Sequence, residues 1–311
     1  MPDLQRLRNV SLLGDTAWRH LAEDPLLLAV QAFRRLPAPT RAVMSRLVGA
    51  GAGPTAVRHA LAEFVADRPS AAARALAAVV PGSAPGRRMA AELAVQLGDT
   101  ALVPGGAEAA GPSVRARELW SRGHLSRAVR VLDGVPRARA QRARLRSEMA
   151  AMGPGFALPA VVPSPAWSGP VRGARPRVLH VLTNSLPRTQ SGYAVRSHAV
   201  LRSQVAAGIE ARAVTRIGYP VTVGLVGAAR EDRVDGVIYR RLLPARLAPT
   251  PAARLVQMTR LLAREVEEFR PDVLHTTTNY QNALVTGAVA RSYGLPWVYE
   301  MRGVLEYTWV A

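Results

Sequence analysis

The residues whose types and spacing could do chemistry lie in the second half of the chain: Ser191, Gly192, His275, Asn279, Tyr280, Arg302 and Glu306. Ser191 and Gly192 fall where an apolar run (Val178, Leu179, Val181, Leu182) has passed through a polar loop. A helical pattern then begins, with Ala194, His198, Leu201 and Val205 on one face. Unpartnered N–H groups and the positive end of a helix dipole converge at such a turn, so it can receive an anion. It can equally be a tight strand-to-helix turn. His275 ends a short apolar run, where an imidazole could bind a ligand, handle a proton or serve the structure alone. Arg302 follows the run WVYEM and precedes Gly303. A guanidinium there could hold an anion bidentately or pair with Glu300 or Glu306. Glu306 would then orient Arg302 or meet a ligand itself.

Other chemistries find no support. The chain has no cysteine, which removes disulfides, thiolate metal sites and a cysteine nucleophile. No Ser/His/Asp arrangement, P-loop or dinucleotide G-x-G-x-x-G fingerprint occurs. His20, His59 and His124 stand apart, without metal-ligand spacing. The formal charge of +19 would suggest nucleic acid, but all 41 basic residues are Arg, which matches a coding bias. The surplus is also spread over the chain, 24 Arg against 12 acids up to Arg175 and 17 against 10 beyond. No nucleic-acid partner is expected. An anionic membrane surface remains open, with RARAQRARLR at 137–146 as its sharpest candidate, although these Arg surround the helix. Apolar stretches are interrupted by Arg and no signal-peptide pattern opens the chain. The expectation is a cytoplasmic protein, at most peripheral to the inner membrane face.

Two kinds of pattern must position these residues. Residues 1–152 read as helices broken by Gly, Pro, Ser and Asp. Within them ARELWSRGHLSRAVRVLDG resembles one tetratricopeptide-type hairpin, though no 34-residue period recurs. That region reads as a packing or partner-binding module. Residues 153–175 form a Pro/Gly-rich linker, which Phe156 and Trp167 could pin to a neighbouring surface. From 176 to 311 strands alternate with helices, with strands expected at 177–182, 209–217, 234–242, 272–276 and 297–301. The fold class is therefore α plus α/β, an all-helical domain followed by a Rossmann-like, mostly parallel sheet. Ligands of such sheets bind beyond the carboxyl ends of the strands, where the polar, Gly-rich segments collect.

Two blocks carry a family resemblance. RVLHVLTNSLPRTQSGYAVRSHAVLRSQVAAGIEARAVT resembles the first strand, glycine loop and first helix of family 4 glycosyltransferases of GT-B fold. PDVLHTTTNYQNALVTGAVARSYGLPWVYEMRGVLEYTW resembles their later segment, where one strand ends on His and another in Glu-x-Arg-Gly. The resemblance implies retaining transfer of a sugar from a nucleotide-sugar donor to a hydroxyl acceptor, with no cofactor or obligatory metal. It makes this lobe the acceptor side and sends its glycine loop toward the donor diphosphate. His275 and Arg302 would be catalytic. Ser191, Gly192, Asn279, Tyr280 and Glu306 would bind substrate, with Asn279 and Tyr280 reaching sugar hydroxyls. Many members carry Gly-Gly where this chain has Ser191-Gly192. A donor-binding lobe has no counterpart before Ala311, so the resemblance implies a truncated or split transferase, with little turnover alone. The competing expectation is a non-catalytic helical interaction protein with a remnant Rossmann-like domain.

Overall fold

The computed structural model describes residues 2–23, 28–29, 36–50, 55–78, 82–106, 108, 110–171, 173 and 175–303. Two compact units emerge, Trp18–Met149 and Met1–Ala17 together with Ala150–Ala311.

The first of these is helical. Its helices are the end of α1 (Pro2–Glu23), then α2 (Ala38–Ala50), α3 (Thr55–Val65), α4 (Pro69–Ala77), α5 (Ala84–Gln96), α6 (Pro112–Ser121), α7 (Leu125–Arg130) and α8 (Arg139–Met152). Pro occupies the first turn of α4, α5 and α6, where a missing N–H costs no hydrogen bond. Leu61, Phe64, Leu76 and Leu93 form one core, and Leu119, Ala128, Leu132 and Leu145 another. The hairpin read in the sequence is α6 and α7, with Gly123 in the turn at positive φ.

The second unit is built on six strands: β1 (Arg177–Leu182), β2 (Glu210–Thr215), β3 (Glu231–Val234), β4 (Val237–Arg241), β5 (Val273–Thr277) and β6 (Trp297–Glu300). Their order is β3-β4-β2-β1-β5-β6, and every pair is parallel except β3 with β4. Helix α9 (Gly192–Ala206) connects β1 to β2, α10 (Pro251–Phe269) connects β4 to β5, and α11 (Tyr280–Tyr293) connects β5 to β6. The chain leaves β1 toward β2 and β4, then returns through α10 to place β5 on the other side of β1. That reversal opens a crevice at the carboxyl ends of β1 and β5.

Helix α10 shows why these residues fold this way. Thr250 caps it by accepting the Ala253 N–H, Pro251 opens it, and Leu255, Met258, Leu262, Val266 and Phe269 recur at helical spacing on its buried face. With Val285 and Val289 of α11 and Leu179, Val181, Val214 and Leu274 of the strands they form the main core.

Three features depart from the sequence reading. The strand expected at 234–242 is the second arm of a hairpin. Asp235 and Gly236, both at positive φ, turn the chain between β3 and β4, and β3 falls almost wholly before the expected strand. The first seventeen residues pack with the sheet unit rather than with the helices that follow them. Buried Asn9 donates to the Val226 and Ala228 carbonyls at 2.8 and 2.9 Å, and Leu12 packs among Val221, Leu243 and Leu247. The Pro/Gly-rich segment read as a linker belongs to the sheet unit, with Phe156 and Trp167 packed on its core, the pinning expected of them. Val161 N–H donates to Ser292 Oγ, Ser164 N–H donates to Glu267 Oε1, and Trp167 meets Tyr293 edge to face at 5.0 Å.

Candidate active site

At the crevice, the segments after β1, β5 and β6 are tied to one another. After β1 the chain runs through Thr183 and Asn184 to Ser191. Ser191 is the N-cap of α9, and its Oγ accepts the Ala194 N–H at 3.2 Å. The same hydroxyl lies 3.4 Å from Asn184 Oδ1. The Gly192 and Tyr193 amides have no acceptor within the helix. A Cβ built on Gly192 would meet nothing within 4 Å, so the space beside this turn is open.

The β6 end closes the opposite wall. Arg302 N–H donates to Thr278 Oγ1 at 2.8 Å, and Thr278 N–H donates to Glu300 O at 3.2 Å. The Arg302 side chain is 2% exposed. Its Nη2 donates to Glu300 Oε2 at 2.6 Å, and its Nη1 donates to Ser197 Oγ at 2.7 Å and to Tyr193 O at 3.3 Å. The ion pair with Glu300 is thus formed, and the guanidinium spans from the sheet to α9 instead of pointing into open space. Gly303 packs close to the Tyr193 side chain, and a Cβ there would stand 2.8 Å from its hydroxyl and displace it.

His275 lies beneath this pair. Its Nε2 is 3.7 Å from Glu300 Oε2, and its buried Nδ1 has no hydrogen-bond partner among the described residues. Burial pushes its pKa below the ordinary imidazole value; Glu300 opposes that push and Arg302 adds to it. His180, its register partner on β1, is stacked against it with ring centroids 4.5 Å apart. Burial, and then the His275 charge, depress the His180 pKa to about 3, against the raising effect of the bond to Gln204 Oε1 at 2.7 Å. Both rings are therefore neutral near pH 7. Glu300 is the reverse case. The hydrogen bond from Arg302, its largest influence, holds it below the usual carboxylate range, with Arg196 contributing. Arg196 Nη2 reaches Glu300 Oε1 at 2.9 Å from a side chain that is 65% exposed.

The third wall is the start of α11. Asn279 is its N-cap, but the side chain makes no capping bond, and Tyr280 follows it, half-buried. One turn on, buried Asn282 donates to Thr183 Oγ1 at 2.9 Å, tying this helix to the β1 loop. Glu306 lies outside the described residues. Among the described residues no group of three His, Cys, Asp or Glu could hold a metal ion.

Ser191, Gly192, His275, Asn279, Tyr280 and Arg302 all belong to the carboxyl ends of β1, β5 and β6 or to the segments that follow them, at one edge of the sheet. Residues 191–311 match the family described as Glycosyl transferase 4-like domain. That stretch of the α/β lobe is similar to glycosyl transferase 4-like domains. No curated protein and no solved structure matches the chain. The matched segment opens on Ser191, the cap of α9, and leaves out β1 and most of the loop after it.

Several participants were not singled out by sequence. Ser197, Arg196 and Thr278 become visible only through their partners, since each meets a residue at least 24 positions away. The helical period did place Ser197 and Tyr193 in the same helix, but nothing in the sequence says that Arg302 ends between them.

Proposed function

We propose that this lobe is the acceptor-binding side of a retaining, nucleotide-sugar-dependent glycosyltransferase. The observation that carries the reading is that the segments after β1, β5 and β6 are hydrogen-bonded to one another, within and beside a stretch similar to glycosyl transferase 4-like domains. On this reading the open space at Gly192 lets the donor diphosphate approach the Gly192 and Tyr193 amides at the positive end of α9. The side-chain amide of Asn279, which makes no capping bond to α11, provides hydrogen-bonding groups for acceptor hydroxyls, and Tyr280 flanks it.

His275, neutral through burial, is the group that takes the acceptor proton. Glu300, held ionised by Arg302 and Arg196, then stabilises the imidazolium from 3.7 Å. Arg302 works as a positioning residue. Its fork joins Glu300 to Tyr193 O and Ser197 Oγ, so the carboxylate and the ligand-facing turn keep a fixed separation. The nucleotide-sugar is a co-substrate, and the reading calls for no metal.

The test is transfer of labelled sugar from a panel of uridine, guanosine and adenosine diphosphate sugars to hydroxyl acceptors, with the product's anomeric configuration read by NMR. Transfer with retention supports the proposal; transfer with inversion contradicts it.

A further inference from the structure

The β1–α9 loop is fastened by a second cation that the reading above does not use. Arg241, the last residue of β4, has no exposed side-chain surface. Its Nε and Nη2 donate to Asp232 Oδ2 at 3.1 and 2.8 Å. The remaining donors go to the loop: Nη1 to Ser185 Oγ at 2.6 Å and Nη2 to Leu186 O at 3.1 Å. Asp232 also accepts from Arg188 Nη2 at 2.8 Å. Burial alone would raise the Asp232 pKa, but the hydrogen bonds from Arg188 and Arg241 outweigh it and keep the carboxylate ionised. Tyr219, whose ring lies 5.6 Å from the guanidinium carbon, completes the clamp. Its hydroxyl donates to Ser185 O at 3.1 Å and pairs with Thr189 Oγ1 at 2.7 Å.

A buried ion pair is a poor way to gain stability, because well-packed apolar residues usually do as well. What the guanidinium adds is direction, since its planar fork satisfies a carboxylate and two loop oxygens at once. Residues 185, 186, 188 and 189 are all held by this cluster, two residues short of the cap at Ser191. We propose that Arg241 is a positioning residue, fixing the loop so that Ser191 and Gly192 stand where ligand is bound. The proposal rests on the reading of that turn as part of the ligand site.

Two variants of the full chain separate positioning from simple stability. Ser185→Ala removes one loop contact and leaves the buried ion pair in place. Arg241→Lys keeps the charge but loses the fork. Hydrogen exchange of the 185–192 amides should quicken about ten-fold in each, with β1 and β5 amides unchanged. Affinity for uridine or guanosine diphosphate, whichever the unaltered protein binds, should fall about five-fold or more. Unchanged loop exchange in both variants overturns the proposal, as does faster exchange with unaltered diphosphate affinity. If the unaltered protein binds neither diphosphate, the reading of that turn as part of the ligand site fails on that result. The exchange rates alone then decide whether Arg241 holds the loop.

Discussion

Arg302 Nη1 donates to Ser197 Oγ at 2.7 Å, joining the end of the last strand to the second turn of the helix that begins at Ser191. One side chain thus ties the β6 end to α9. Arg302→Ala removes both this tie and the counter-charge of Glu300. The expected outcome is loss of sugar transfer or binding by about 100-fold and a stability loss of about 3 kcal/mol. Ser197→Ala should cost only about 1 kcal/mol and less than ten-fold in function. Thermal unfolding and ligand titration of the two variants check this, and equal effects would contradict the role given to the Arg302 fork.

Gly192 offers the opposite separation, function without fold. Its backbone is not in the left-handed region, and a Cβ there meets nothing. Gly192→Ala should leave stability unchanged or raise it by about 0.4–1 kcal/mol. Gly192→Val, larger at the same point, should abolish binding of a diphosphate or sugar at this turn with the melting temperature preserved. Retained binding in the valine variant would show that the open space is unused.

The stacked histidines predict an acid limb. The folded His180 pKa is depressed to about 3, while an unfolded imidazole titrates near ~6.5. Between these values the unfolded chain binds the extra proton. Stability is therefore complete above pH ~6.5 and falls as pH drops, by up to ~1.4 kcal/mol per pH unit. His275, lowered by burial in the same direction, adds to the slope. Denaturant unfolding across this range should show a shallower limb in His180→Asn, by about one proton. An unchanged slope would mean that His180 titrates normally in the folded protein.

Asn9 predicts that the start of the chain matters to the sheet unit. Its amide satisfies two loop carbonyls while 1% exposed. Asn9→Ala should cost about 1–3 kcal/mol, since both carbonyls lose their donor. Faster exchange should follow around residues 226–228, and an effect confined to α1 itself would contradict the docking.

How far the sequence revealed this arrangement depended on the kind of signal. Period and punctuation were enough for α10, where Thr250, Pro251 and the spacing from Leu255 to Phe269 all agree. They were enough for β1 and β5, whose apolar runs read as buried strands. The hairpin at Asp235–Gly236 carries a turn signal that the surrounding apolar residues mask, so the pattern yields one strand at 234–242 where there are two. Asn9 had no signal at all, because a helical polar residue looks the same whether it faces water or a distant carbonyl. The crevice was legible as a set of strand ends. Its wiring was not, because Arg302, Ser197 and Thr278 are joined by contacts that no local pattern encodes. Arg241 shows the same limit, being one of 41 basic residues in the chain and placed by the fold at the centre of the β1 loop.

The most direct measurement is ligand-observed NMR of methyl glycosides and nucleoside diphosphates with the full chain and with Gly192→Val and Arg302→Ala. The predicted result is binding by the unaltered protein that both variants lose, with Gly192→Val still fully folded. Absence of any glycoside or diphosphate binding by the unaltered protein, or binding that both variants retain, would contradict an acceptor-side crevice between Ser191 and Arg302.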